Sequence, residues 1–244
     1  MSAASASDAG YLPPGIRIYA VGDIHGRLDL LDRLLARITA DQETDPAPAP
    51  ALVFLGDYVD RGTDSAGVLA RLAGDPMPGA VAGMTCRFIK GNHDEMMLRF
   101  LAGQDDGWHW LTNGGGATLA SYGVAASGPP EDMRHALAAA LPAAHRGFLE
   151  TLESHVRIGG YFLTHAGVRP GVALEDQSPD DLMWIRDAFL GSDADFGAVV
   201  VHGHTPMPAP VSRANRIGVD TGAWMSGTLT AAVLEGHKRR FLNT

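Results

Sequence analysis

The chain has 244 residues, 45% hydrophobic and 19% charged, a balance that excludes wholesale disorder and suits one large domain or two small ones. A single cysteine, Cys86, excludes an intramolecular disulfide and a thiolate-built zinc site, and a formal charge of -9 argues against a nucleic-acid partner. No apolar run approaches the roughly 20 residues of a membrane span, and the opening MSAASASDAGYLPPG lacks the basic start and apolar stretch of a secretory signal, so the expected place is the cytoplasm, away from membranes.

Residues 1–14 read as a disordered tail, and residues 15–244 as a single domain. Residues 16–22 form a β-branched run ending in glycine, which predicts a strand. From Leu28 to Thr39 apolar residues recur at helical spacing. The Pro/Ala-rich stretch 41–51 reads as a mobile connector. A strand at Leu52–Leu55, a helix at Asp64–Ala73, a strand at Cys86–Ile89 and a helix at Asp94–Leu101 follow. Residues 102–152 change character: a glycine-rich aromatic segment, Trp108 to Tyr122, precedes an Ala-rich helical stretch over 131–152, and the whole reads as a cap-like insertion. Strands return at Tyr161–Thr164, Val199–Val201, Arg216–Val219 and Thr228–Leu234, and the basic end His237–Arg240 reads as a solvated tail. Strands that alternate with helices and polar loops predict a mixed α/β sandwich with its site at the strand ends.

Five segments share one design: an apolar run, a glycine, and a side chain able to bind a metal. They are Val21-Gly-Asp-Ile-His-Gly26, Leu55-Gly-Asp-Tyr-Val-Asp-Arg-Gly62, Lys90-Gly-Asn-His-Asp94, Leu163-Thr-His-Ala-Gly167 and Val201-His-Gly-His-Thr205. Each alone is weak, since a lone Gly-Asp is usually a turn and a lone histidine usually a satisfied polar group. Together they offer carboxylates, an amide oxygen and imidazoles without thiolates, a set suited to manganese, iron or zinc rather than calcium. Asp23 and His25, two apart, can face one ion. Asp57 can bridge two ions with its two oxygens. Asn92, His165 and His204 would complete the second site.

The series GDIHG, GDYVDRG, GNHD, THAG and GHT resembles the calcineurin-like metallophosphoesterases, and GDYVDRG in particular resembles the phosphoprotein phosphatase branch, with its bacterial and phage serine/threonine phosphatases. That resemblance spans residue 16 to about 235 and implies a four-layer fold, a mixed β-sandwich flanked by helices. It implies two divalent ions, manganese first, with iron or zinc as other choices, on Asp23, His25, Asp57, Asn92, His165 and His204. It implies that His93 is a general acid held by Asp60, and that Arg61 clamps phosphate. Trp184-Ile185-Arg186 resembles a tryptophan-x-arginine of bacterial and phage members, so Arg186 becomes a second clamp. The reaction implied is attack on a phosphate monoester by a metal-bridging hydroxide. Where the family usually has glutamate, this chain has Asp94, one methylene shorter.

The leading reading is therefore a serine/threonine protein phosphatase acting on a phosphorylated protein or small phosphoester. A symmetrical diadenosine tetraphosphate hydrolase is the alternative, and a non-catalytic scaffold of the same fold is the third reading. Cys86 lies in a predicted strand rather than a phosphate loop, which disfavours a phosphocysteine route. His202 receives no role, Asp220-Thr221-Gly222 reads as a supporting turn, and Trp108, Trp110 and Tyr122 read as aromatics packing a loop onto the core. Nothing in the sequence sets an oligomeric state.

Overall fold

A computed structural model describes residues 9–74 and 83–244. Two five-stranded sheets face each other. In the first, the order is β10 (Lys238–Asn243), β9 (Thr230–Glu235), β1 (Ile16–Val21), β2 (Ala49–Phe54), β3 (Thr85–Phe88). In the second it is β4 (His155–Ile158), β5 (Tyr161–Thr164), β6 (Val199–His202), β8 (Arg216–Gly218), β7 (Val211–Ser212). Strands β1, β2 and β3 run parallel, as do β5, β6 and β8, while β9 with β1, β10 with β9, β4 with β5 and β7 with β8 pair antiparallel.

Strand periodicity divides the core. Side chains alternate across a sheet, so Ile18 and Ala20 of β1 pack between the sheets with Leu163, Val201 and Val219. Tyr19 and Val21 point the other way, into a cluster with Leu31 and Leu34 of α1 (Leu28–Thr44) and Phe100 of α3 (Asn92–Ala102). Beyond the second sheet, Phe162 and Val200 pack on Leu182 of α8 (Pro179–Trp184) and Phe189 of α9 (Asp187–Leu190). The layers are helix, sheet, sheet, helix, as the sequence implied.

Several expectations need correction. Residues 9–14 are not a tail: Leu12 is fully buried, its N–H donates to Gly236 O at 3.1 Å, and Gly160 N donates to Tyr11 O at 2.8 Å. One leucine among small and polar residues finds a core position that composition does not signal. Residues 1–8 lie outside the described residues. The connector at 41–51 is also structured. Helix α1 continues to Thr44, and the Arg17 guanidinium ties down Asp45 by its backbone oxygen and its carboxylate. β2 begins at Ala49, and Pro50 is tolerated because pairing with β3 starts only at Ala51. The basic end is strand β10, hydrogen-bonded along β9. The 131–152 stretch is two helices, α6 (Pro130–Ala140) and α7 (Ala143–Glu150), broken at Leu141, whose ψ of 119° is extended, as the residue before a proline prefers.

The expected cap differs too. Trp110, Leu119, Met133, Leu137 and Leu149 belong to the same buried cluster as α1 and the first sheet. This segment is therefore a side wall continuous with the core. None of the helices among the described residues is long and apolar enough to cross a membrane.

Candidate metal centre

The candidate residues stand just beyond the carboxyl ends of parallel strands: Asp23 and His25 after β1, Asp57 after β2, Asn92 and His93 after β3, His165 after β5, His204 after β6. Ligands of open α/β sheets are met at such ends, and here both sheets deliver them to one place. All of these side chains are at least 95% buried.

Backbone conformation marks three of these residues, His25, Asp57 and His204, and two of their neighbours. Among the described residues, the non-glycine residues with positive φ are His25, Asp57, Asp60, Arg61 and His204, with φ from 45° to 74°. A left-handed conformation costs a non-glycine residue about 1–3 kcal/mol and survives only where its surroundings impose it.

Asp57 lies between two groups of donors. Its Oδ2 is 3.4 Å from His25 Nε2, and its Oδ1 is 3.6 Å from His165 Nε2. His165 Nε2 and His204 Nδ1 each lie 2.9 Å from Asn92 Oδ1 and 3.2 Å from each other. His25 Nδ1 is 2.8 Å from Val59 O, and His165 Nδ1 is 2.8 Å from Leu55 O. Donation to those carbonyls fixes the tautomer and leaves each Nε2 with a lone pair aimed into the cluster. His165 Nε2 then faces an amide oxygen, acceptor against acceptor, and His204 Nε2 is buried with no partner among the described residues. Such an arrangement is repulsive in protein alone and attractive around cations.

The acid–base energetics agree. Burial, then Asp220 and Asp57, raises the Asp23 carboxyl well above its usual range. Burial opposes the charge of Asp57, but His165, His93, His25 and His204 hold it below the ordinary range. Burial pushes His25 down to about 3 and His204 down to about 2, which keeps both imidazoles neutral and able to ligate. The donor set therefore fits a pair of divalent cations with Asp57 common to both. Asp23 is tied to the same loops: His204 N donates to its two oxygens at 3.1 and 3.0 Å.

His93 stands beside this cluster. Its Nδ1 is 2.7 Å from Asp60 Oδ2 and its Nε2 is 2.9 Å from Arg61 Nη2. Burial disfavours its charge, but Asp57 and Asp60 outweigh burial and lift its pKa. Arg61 Nη1 also reaches His25 Nε2 at 3.0 Å. Arg186 is exposed, on the loop between α8 and α9, and shares with Arg61 an open cleft of about 540 Å³ over the cluster.

Sequence reasoning missed several supports. The Trp110 Nε1–H donates to both oxygens of Asp60, at 3.1 and 2.9 Å, and Thr118 Oγ1 donates to Oδ1 at 2.7 Å. Trp110 is thus more than loop packing. The only sequence signal was an indole beside a glycine run, and that run has its own reason: Gly114 has φ 114°, its carbonyl accepts from Arg61 N at 3.3 Å, and a Cβ there would lie 2.8 Å from Arg61 Cγ. Asp94, despite its shorter side chain, accepts from Asp57 N, Tyr58 N and Gly91 N at 2.9, 3.0 and 2.9 Å.

Residues 16–234 match the calcineurin-like phosphoesterase family. The chain is 29% identical over 223 residues to serine/threonine-protein phosphatase 1 of Salmonella typhimurium, covering 89% of this chain and 92% of that one. It is 26% identical over 235 residues to the asymmetrical bis(5'-nucleosyl)-tetraphosphatase PrpE of Anoxybacillus flavithermus, covering 86% and 87%. Its fold resembles the cold-active protein-tyrosine phosphatase of a psychrophilic Shewanella, with a TM-score of 0.63, 16% identity, and coverage of 96% and 83%.

Proposed function

The chain belongs to the calcineurin-like phosphoesterase family, and from that premise we propose that it removes phosphate from phosphoserine and phosphothreonine in proteins. Asp23, His25 and Asp57 would hold one divalent ion, and Asp57, Asn92, His165 and His204 the other, with manganese proposed for both. Such a pair, when bound, supplies a nucleophilic water of lowered pKa and neutralises phosphoryl oxygens.

The residues themselves do the rest. Arg61 and Arg186 face the cleft and would each offer two parallel N–H donors to the phosphoryl group. For that, Arg61 must leave His25 Nε2 and His93 Nε2, freeing one for ligation and the other for proton transfer. A serine alkoxide is a poor leaving group and needs a proton as the bond to phosphorus breaks. His93 Nε2–H would supply it while Asp60 holds Nδ1, a contribution of about 10²–10⁴-fold.

The observation that carries this reading is the support given to one imidazole. Trp110 and Thr118 fix Asp60, and Asp60 fixes His93. A nucleotide phosphate departs as a stable anion and needs no such acid, so the support favours an alkyl leaving group. A second reading, hydrolysis of dinucleoside tetraphosphates, is favoured by Trp184 and Trp224, each 39% exposed, with Trp224 lining the cleft and Trp184 6.3 Å from His204, where they could stack a base.

A substrate panel with defined metals separates the two. Phosphoserine peptides should be turned over faster than diadenosine tetraphosphate. With His93→Asn, phosphoserine hydrolysis should fall far more than that of p-nitrophenyl phosphate. A preference for the dinucleotide, or equal losses on the two esters, would overturn the reading.

A further inference from the structure

Behind the metal centre, on the other side of the loop that carries His204, lies a small, partly open cavity of about 180 Å³. Leu190, Met207 and Val211 form its apolar wall, and His202, Thr205 and Arg216 line it with polar groups. None of the proposed metal ligands lines it.

The chain buries two arginines among the described residues, and they are treated differently. Arg17, 1% exposed, meets Glu235 at 2.6 Å, Asp45 at 2.7 Å and Asp41 at 3.8 Å. Arg216, 6% exposed, meets no carboxylate among the described residues; its Nη2 donates to Leu190 O at 3.0 Å and its Nε has no partner. A buried guanidinium is costly unless an anion pairs with it. Burial, then the nearby Arg213, disfavours its charge further; the exposed Asp193 offsets little, since it pairs with Arg213 at 3.7 Å.

Two more buried atoms without partners face the same cavity, Thr205 Oγ1 and His202 Nε2. His202 Nδ1 lies 3.1 Å from Gly203 O and donates to it, so Nε2 carries a lone pair and requires a donor. The cavity thus asks for acceptor oxygens at Arg216, with Arg213 as a second cation on its lining, and for one O–H at His202.

We propose that this cavity is a second binding site, for a small oxyanion that keeps a hydroxyl, either a phosphate monoanion or a two-carbon hydroxycarboxylate. Its oxygens pair with Arg216 and Thr205 while its hydroxyl donates to His202. The ligand sits behind residues 202–205, so it touches the backbone that presents His204 to the metal centre. That placement lets the occupant bias the catalytic site without entering it.

Methyl NMR on the full chain loaded with diamagnetic zinc tests this. Inorganic phosphate and glycolate are titrated separately against sodium chloride at equal ionic strength. One of the two should shift the Met207 and Leu190 methyls saturably, which also identifies the source, and Val211→Phe, which fills the cavity, should abolish that shift. No shift with either, the same shift with chloride, or a shift unchanged in Val211→Phe overturns the proposal and leaves water as the occupant. If Val211→Phe does not fold, Thr205→Val decides: affinity should fall about tenfold, the worth of a hydrogen bond to a charged group, and unchanged affinity overturns the site. The readout needs no turnover, so its failure leaves the phosphatase reading untouched.

Discussion

His93 illustrates how much a single side chain depends on its neighbours. Its proton sits in a chain that runs from Trp110 and Thr118 through Asp60. Trp110→Phe keeps most of the ring packing against Phe100 and removes only the indole donor. Turnover of phosphoserine should drop about tenfold, within the range of one lost hydrogen bond to a charged group, while p-nitrophenyl phosphate, with its better leaving group, should be little affected. Equal losses on both substrates, measured as kcat, would show that Trp110 serves packing alone. Gly203 makes a second residue-scale case. A methyl there would run into the Asp23 carboxylate, so Gly203→Ala should cost both metal content, measured by elemental analysis, and activity. The motif residues are legible in the sequence because each combines a ligating side chain with a neighbouring glycine. Trp110 is not, because its partner lies 50 positions away and only the fold brings the two together.

Elements that pair locally are easier to anticipate than those that pair at a distance. The helix from Leu28 and the strands β1, β2 and β5 announce themselves by periodicity or by β-branched runs. The order of the strands, the short β4 and the terminal β10 do not, because an edge strand with one face exposed carries a weaker pattern; β10 opens on alternating exposed and half-buried residues, most of them basic, and reads as a basic tail. The segment before β1 is the sharpest case. Leu12 joins Ile18, Leu163 and Leu234 in the cluster between the sheets. Leu12→Ala should therefore destabilise the fold by about 2–5 kcal/mol, the usual cost of emptying a buried leucine site, as measured by denaturant unfolding. A disordered tail would tolerate the change within about 0.5 kcal/mol.

At the scale of the molecule, the two sheets aim strand ends at one point, and that convergence has an electrostatic cost. Asp23, Asp57 and Asp220 are buried together: burial, with Asp57 as the nearby like charge, raises Asp220 to about 6, and burial, then Asp220 and Asp57, raises Asp23 well above its ordinary value. A folded-state pKa raised above the unfolded one means that the folded protein holds its proton more tightly. For a carboxyl the resulting penalty is absent below the ordinary, unfolded pKa of 3.8 and grows as pH rises toward the folded one. In the metal-stripped protein this carboxyl contribution should fall as pH rises from about 4 toward neutrality, while His25 and His204, held neutral in the fold, work the other way as the unfolded imidazoles lose their protons. Divalent cations supply the missing counter-charge and bind only the folded state, which adds about 2.7 kcal/mol at one hundred times the dissociation constant. Asp23→Asn removes one charge, keeps an oxygen to accept from His204 N, and weakens one ion site. Stripped of metal, this variant should be at least as stable as the native chain at pH 7, and its Tm should gain on the native chain's as pH rises from about 4. With manganese added, it should gain less in Tm and hydrolyse phosphoesters more slowly. If Asp23→Asn instead unfolded more readily without metal, the carboxylate would be holding the loops together, and the repulsion assigned to the strand ends would be wrong.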